Sequence, residues 1–373
     1  MKQRLFKLIV TAALAVILIL LAVSCGSGGK IKGLDAEFTA AFKIEQLEKG
    51  IKRVTDGENR ELILVPKTLE TVPDEYAGKT VIRTPVERAV FLSTTQVCCL
   101  RAAGSEEIWD RIAAVNADSY SFSNIPQVVQ RMDSGKIINV GGEMGNPDYE
   151  QLTALDPDIV FVYTGSYPQT DIITKLEELG INYAVDNEYM EPTALARMEW
   201  LKFILTFFNE DKAAADYVAE IKANIEETIA KTSEATTPKI LMAYIYDGTV
   251  IAVDGQGWLA KIVAEVNGDY LLKDLDRDSL YISIEDFLIH AEQADIILYT
   301  STPSFMPGKA ALYDMAPLLK DTPAAQNNKL YEYSDAFWMS VDQPQLLYED
   351  MAQVLHPELY ENRTMTYFTI MPD

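Results

Sequence analysis

The chain has 373 residues, 48% of them hydrophobic, a formal net charge of −24 and two histidines. That length and composition admit two domains with proper cores, and the acidity excludes a nucleic-acid partner, whose phosphates it would repel. A bare zinc or manganese site built from several histidines and carboxylates is short of ligands here.

The N-terminus reads as an address rather than as part of the fold. Lys2, Arg4 and Lys7 precede an almost wholly apolar run from Leu8 to Leu21, which is short for a membrane span. Ala22-Val23-Ser24-Cys25-Gly26 then resembles a bacterial lipobox, with Ala22 where leucine is commoner. Residues 1–24 are thus expected to be a lipoprotein signal peptide. Cys25 would carry the lipid, and residues 25–35, with Gly26-Ser27-Gly28-Gly29, would form a tether. Beyond Cys25 the only cysteines are Cys98 and Cys99, in the apolar run TTQVCCLRAA. Adjacent cysteines rarely pair, so buried packing is expected for both.

Residues 36–80 read as a β-hairpin extension: KIEQLEKGIKRV and RELILVPKT are strand-like and meet at the turn signal Asp56-Gly57-Glu58-Asn59. From 81 to 190, short apolar runs alternate with helical patterns. Strands are expected at Arg88–Ser93, Ile112–Val115, Ile137–Val140, Ile159–Tyr163 and Asn182–Val185, with helices after Thr94 and over Asp171–Leu179. That alternation implies parallel βαβ units. Residues 191–233 form a helical spine. Leu195, Met198, Leu201, Ile204, Leu205 and Phe208 fall at helical spacing, and Asn209-Glu210-Asp211 breaks the pattern. Tyr217, Val218, Ile221, Ile225 and Ile229 make a second stripe, with Glu and Lys opposite. Residues 234–373 repeat the α/β character. Their strands are expected at Ile240–Tyr244, Val250–Val253, Ile296–Thr300 and Lys329–Tyr333, with a C-terminal helix over Asp342–Val354.

The runs RAVFLSTTQ, INVGGEMGNPDYEQLTALDPDIVFV, KLEELGINYAV and SIEDFLIHAEQADIILY resemble the substrate-binding lipoproteins of iron–siderophore, haem and vitamin B12 ABC importers. The resemblance covers about Val81 to Leu359. It implies an α/β fold of two Rossmann-like lobes joined by a single long helix (class III periplasmic-binding-protein fold), that helix being Asp211–Lys231. It also implies a monomer that carries a ferric siderophore, haem or cobalamin to ABC permease and ATPase subunits. A glutamate on each lobe would dock on permease arginines; the matching positions are Glu150, in PDYEQL, and Glu285, in SIEDFL.

In open α/β sheets, ligands bind beyond the carboxyl ends of the strands. That rule makes Thr94, Thr95, Gln96, Tyr120, Ser166 and Tyr167 candidates in the first lobe, with Ser93, Phe122 and Tyr189 nearby. Tyr246, Trp258, Phe305 and Trp338 are candidates in the second, with Asp247, Gln256, Ser301 and Phe337 nearby. Aromatics suit a flat macrocycle or a catecholate. Enzyme readings find no G-x-S-x-G elbow, no H-E-x-x-H and no P-loop. A scavenging or sensory lipoprotein that binds the same ligands without a transporter is the alternative, with a hydrolase built on paired carboxylates a weaker one.

Overall fold

The computed structural model describes residues 31–142, 145–165, 169–306, 308–361 and 363–373. Cys25, Ser166 and Tyr167 lie outside the described residues. Among those described, the strands form three sheets.

The first sheet belongs to the extension. It has four strands in sequence order: β1 (Lys43–Gln46), β2 (Lys52–Thr55), β3 (Glu61–Pro66) and β4 (Thr80–Thr84). The expected hairpin is the antiparallel β2–β3 pair, turning at Asp56–Arg60. Two strands flank it, because KIEQLEKGIKRV is not continuous: Lys49 (φ 58°) and Gly50 (φ 76°) adopt left-handed backbone and fold β1 back onto β2. β4 pairs parallel to β3 and carries the extension to Thr84.

The first lobe holds β5 (Ala89–Phe91), β6 (Ile112–Val115), β7 (Ile138–Asn139), β8 (Ile159–Val162) and β9 (Tyr183–Val185), all parallel, in the order β7-β6-β5-β8-β9. The central strands are buried throughout, as expected of strands covered on both faces. Helices α1 (Thr94–Cys98), α2 (Pro126–Asp133), α3 (Tyr149–Leu155) and α4 (Gln169–Leu179) alternate with them.

Two helices follow, α5 (Ala194–Thr206) and α6 (Asp211–Thr232). With 22 residues, α6 spans about 33 Å. Helix α5 departs from the expected amphipathic pattern, since eleven of its residues are buried, Glu199 and Lys202 among them. The cause is a strap, residues 35–42, lying over its polar face. Glu199 pairs with Lys202 at 2.8 Å and accepts the backbone N–H groups of Glu37, Phe38 and Thr39 at 2.7, 2.7 and 3.2 Å. The carboxylate thus has both a cation and hydrogen-bond donors, the condition for burying it. A second buried pair, Lys52–Asp211 at 2.7 Å, ties β2 to the start of α6.

The second lobe is a mixed seven-stranded sheet. Its strands are β10 (Lys239–Tyr246), β11 (Thr249–Ala252), β12 (Asp269–Tyr270), β13 (Tyr281–Ile282), β14 (Ile296–Tyr299), β15 (Leu330–Tyr333) and β16 (Phe368–Ile370). The order is β13-β11-β10-β14-β15-β16, with β12 also on β10. Strands β10, β14 and β15 run parallel. β11 is antiparallel because Asp247 (φ 47°) and Gly248 (φ 74°) make a two-residue hairpin. Helices α7 (Trp258–Glu265), α8 (Ile284–Ala291), α9 (Lys309–Met315), α10 (Pro323–Gln326) and α11 (Pro344–Leu355) cover the sheet.

Candidate functional site

In the first lobe, β5, β6, β8 and β9 end at one edge. In the second, β10, β14 and β15 do the same. The loops leaving these edges carry the candidate residues, and two direct contacts close the gap between the lobes. The Tyr120 hydroxyl, beyond β6, lies 3.3 Å from Ser304 Oγ and donates to Asp335 Oδ2 at 3.3 Å, beyond β14 and β15. Ser304 also donates to Asp335 Oδ1 at 3.1 Å. Deeper, Arg101 donates to Asp342 through Nε (2.9 Å) and Nη2 (2.7 Å), and to the Met339 carbonyl at 2.6 Å. Burial holds the Asp342 carboxyl above the usual range, and Arg101 pulls the other way.

The second lobe presents aromatics at this edge. Tyr246 at the end of β10 is 70% exposed, Phe305 after β14 is 81%, and Trp338 after β15 is 58%. All three belong to the carboxyl edge of the sheet, at the end of β10 and beyond β14 and β15. Trp338 meets Phe337 edge-on at 5.2 Å, and Phe337 stacks on Tyr333 at 3.5 Å. Phe337 itself is core. Trp258, opening α7 after Gly257, stacks against Phe337 at 6.0 Å and carries the Arg197 guanidinium 4.7 Å above its ring. Arg197 is held by Glu188 at 2.9 Å. The line Glu188–Arg197–Trp258–Phe337 therefore runs from the first lobe through α5 into the second. Asp186, one turn away, is fully buried, and burial, then Glu188, pushes its carboxyl well up.

The first-lobe candidates divide. Thr94 and Thr95 are half-buried at the start of α1. Gln96 is turned inward: with Ser93 it forms a capping box, and its amide donates to the Val162 carbonyl at 3.2 Å. The S-x-x-Q spacing was the signal for that role. Phe122 is core, and Tyr189 donates its hydroxyl to the Thr164 carbonyl. In the second lobe Asp247 serves the hairpin, Ser301 accepts the backbone N–H of Tyr333, and Gln256 donates to the Lys273 carbonyl. Cys98 and Cys99 are buried and free, and both thiols donate to the Thr95 carbonyl. His356 is bonded to the Val266 carbonyl and His290 to that of Asp286. Glu150 and Glu285 are exposed, each the second residue of its helix, behind the N-caps Asp148 and Ser283.

Residues 107–336 match the family described as periplasmic binding protein. The chain belongs to that family. Among its relatives, an uncharacterised lipoprotein of Methanocaldococcus jannaschii is 28% identical over 295 residues, 77% of this chain and 69% of that protein. A second uncharacterised lipoprotein of the same archaeon is 26% identical over 331 residues, 87% of this chain and 83% of that one. Of solved structures, the periplasmic vitamin B12 binding protein BtuF of Vibrio cholerae superposes with a TM-score of 0.54 at 16% identity, covering 74% of this chain and 99% of that one. The TroA-like periplasmic binding protein FepB of Veillonella parvula gives 0.59 at 15%, covering 86% and 99%. Those two likenesses establish the two-lobe fold. As a periplasmic binding protein the chain has a solute-binding role outside the cytoplasm.

Proposed function

We propose that this periplasmic binding protein captures a metal chelate or corrinoid, that is a ferric siderophore, haem or cobalamin, between its lobes. It then passes the cargo to an ABC permease with its ATPase. The observation that carries the reading is the exposed aromatic set Tyr246, Phe305 and Trp338, at the edge where Tyr120 bridges the lobes. Rings of this kind gain from a large, flat or aromatic ligand. Thr94 and Thr95 add hydroxyls on the facing lobe. Glu150 and Glu285, one per lobe and each exposed at a helix start, are suited to a permease contact. Cys25 would hold the chain to the membrane by its lipid.

The test is tryptophan fluorescence of the purified protein titrated with cyanocobalamin, haemin and a ferric tricatecholate. At least one should quench to saturation, and Trp258→Phe and Trp338→Phe should each remove part of the signal and weaken binding. No saturable response to any of the three, with no chromophore retained from the native host, would overturn the reading.

A further inference from the structure

The turn of the β2–β3 hairpin is built into the first lobe. Asp56 accepts the Val185 N–H at 3.1 Å and a fork from Arg60 at 3.0 and 2.6 Å. The Arg60 guanidinium lies 3.6 Å over the Tyr183 ring. Gly57 N–H donates to the Val185 carbonyl at 3.0 Å. Glu58 Oε1 accepts from the Thr164 hydroxyl at 2.6 Å, and Asn187 Nδ2 donates to the same hydroxyl at 2.8 Å. The extension therefore reaches the carboxyl ends of β8 and β9, the edge from which the first lobe's cleft loops leave. Between the turn and that edge lies a cavity of about 810 Å³.

We propose that this cavity is a second ligand subsite, built jointly by the extension and the first lobe, which takes an arm of the cargo presenting N–H donors on an apolar stem. It rests on the reading that the cargo binds between the lobes. The volume lies within the range of small-molecule sites, roughly 300–1,000 Å³. Its lining includes the apolar residues Ala41, Ile173 and Met190 and the carboxylates of Glu58 and Glu191. Among the described residues neither has an ion-pair partner, whereas Arg60 is neutralised by Asp56. Glu58 receives one hydroxyl, and Glu191 receives the Thr39 hydroxyl and the Trp200 indole N–H. A carboxylate has about four acceptor positions, so both keep lone pairs for a donor. Two uncompensated negative charges select for ammonium or amide groups and against a carboxylate-bearing arm. The cavity lies at the carboxyl edge of β8 and β9, beside the first lobe's cleft loops. Gly165 lines it, and at φ +81° a Cβ there would fall 2.4 Å from the Tyr189 hydroxyl. Gly165 thus lies directly against Tyr189.

Two measurements on the full-length mature protein test the subsite. The first uses saturation-transfer NMR with n-butylamine and with n-butyrate. Butylamine should show transfer that Ala41→Trp abolishes, since the new ring fills the cavity while removing no hydrogen bond, and that Glu58→Ala reduces. Butyrate should show none. Equal transfer to butyrate, or an undiminished butylamine signal in Ala41→Trp, overturns the subsite whatever the cargo proves to be. The second is equilibrium dialysis with cyanocobalamin, whose periphery carries amides, and with haemin, whose arms are carboxylates. Ala41→Trp and Glu58→Ala should weaken cyanocobalamin about tenfold, the scale of one charge-assisted hydrogen bond, and leave haemin unchanged. Wild-type binding of cyanocobalamin that both variants retain in full overturns the subsite alone. Failure of both cargoes to bind, with the butylamine signal intact, counts against the cargo reading and leaves the subsite standing.

Discussion

The Arg101–Asp342 pair joins the two lobes across 241 residues of chain, and replacing Arg101 by Met isolates its contribution. Methionine keeps much of the apolar stem and removes the guanidinium fork. Asp342 is then left at 0% exposure without its cation. Breaking a buried pair from one side costs about 3–5 kcal/mol. The Arg101 side chain retains 19% exposure, which places the expected loss near the lower end, about 3 kcal/mol. The pH dependence has a definite sign. Asp342 already has a folded-state pKa above its ordinary value, because burial outweighs Arg101. Removing Arg101 raises it further. Between the unfolded and folded pKa values the native state binds more protons than the unfolded chain, so stability falls as pH rises. The deficit of Arg101→Met should therefore be large near neutrality and shrink in mild acid. Urea unfolding followed by tryptophan fluorescence, at about pH 7.5 and about pH 4.5, measures both. The companion Arg101→Met/Asp342→Leu should recover most of the loss, since an apolar pair replaces a stranded charge. A neutral-pH deficit below about 1 kcal/mol, the range of an exposed pair, or a deficit equal at both pH values, would refute the reasoning.

Two further outcomes are expected. Glu332 is fully buried with both carboxylate oxygens unpartnered, and burial, then Asp335, pushes its pKa up to about 7. Its native state holds an extra proton, so stability should fall as pH rises through that value, and Glu332→Gln should flatten the melting temperature between pH 6 and pH 8, roughly the window around that pKa; an unchanged slope would count against this. Glu150→Lys and Glu285→Lys should keep cargo affinity and melting temperature while lowering uptake in cells. Each exposed contact contributes only about 0.2–1 kcal/mol, so the double change should lower uptake further, and normal uptake by the double variant would remove the docking assignment.

What could be read from the residues depended on distance along the chain. Buried runs such as IVFV and the stripe of α6 announce themselves within a dozen residues, and the first lobe and the spine were legible from them. Strands β12 and β13 are two residues long and exist only because a neighbour pairs with them, so no local pattern marks them. The burial of Glu199 and Lys202 has no local mark, because nothing near them shows that residues 35–42 return to cover α5. The aromatic candidates Tyr246, Phe305 and Trp338 were reachable from strand ends alone. The partners across the lobes were not: Tyr120 with Asp335, and Arg101 with Asp342, lie more than two hundred residues apart. Gln96 was the opposite case, since its local capping signal was present and pointed away from a ligand role.

The strap over α5 has a mechanical consequence. Where the chain enters the described structure at Ile31, it runs at once to Thr39, whose N–H ends on Glu199 of α5, and Glu37 adds a pair to Lys222 of α6. The Ile31 N–H also donates to Gln46 Oε1 of β1 at 3.0 Å, so a pull arriving from the N-terminal side is shared between the extension sheet and the two helices. Tension along a leash fixed there would load those elements together rather than one lobe alone.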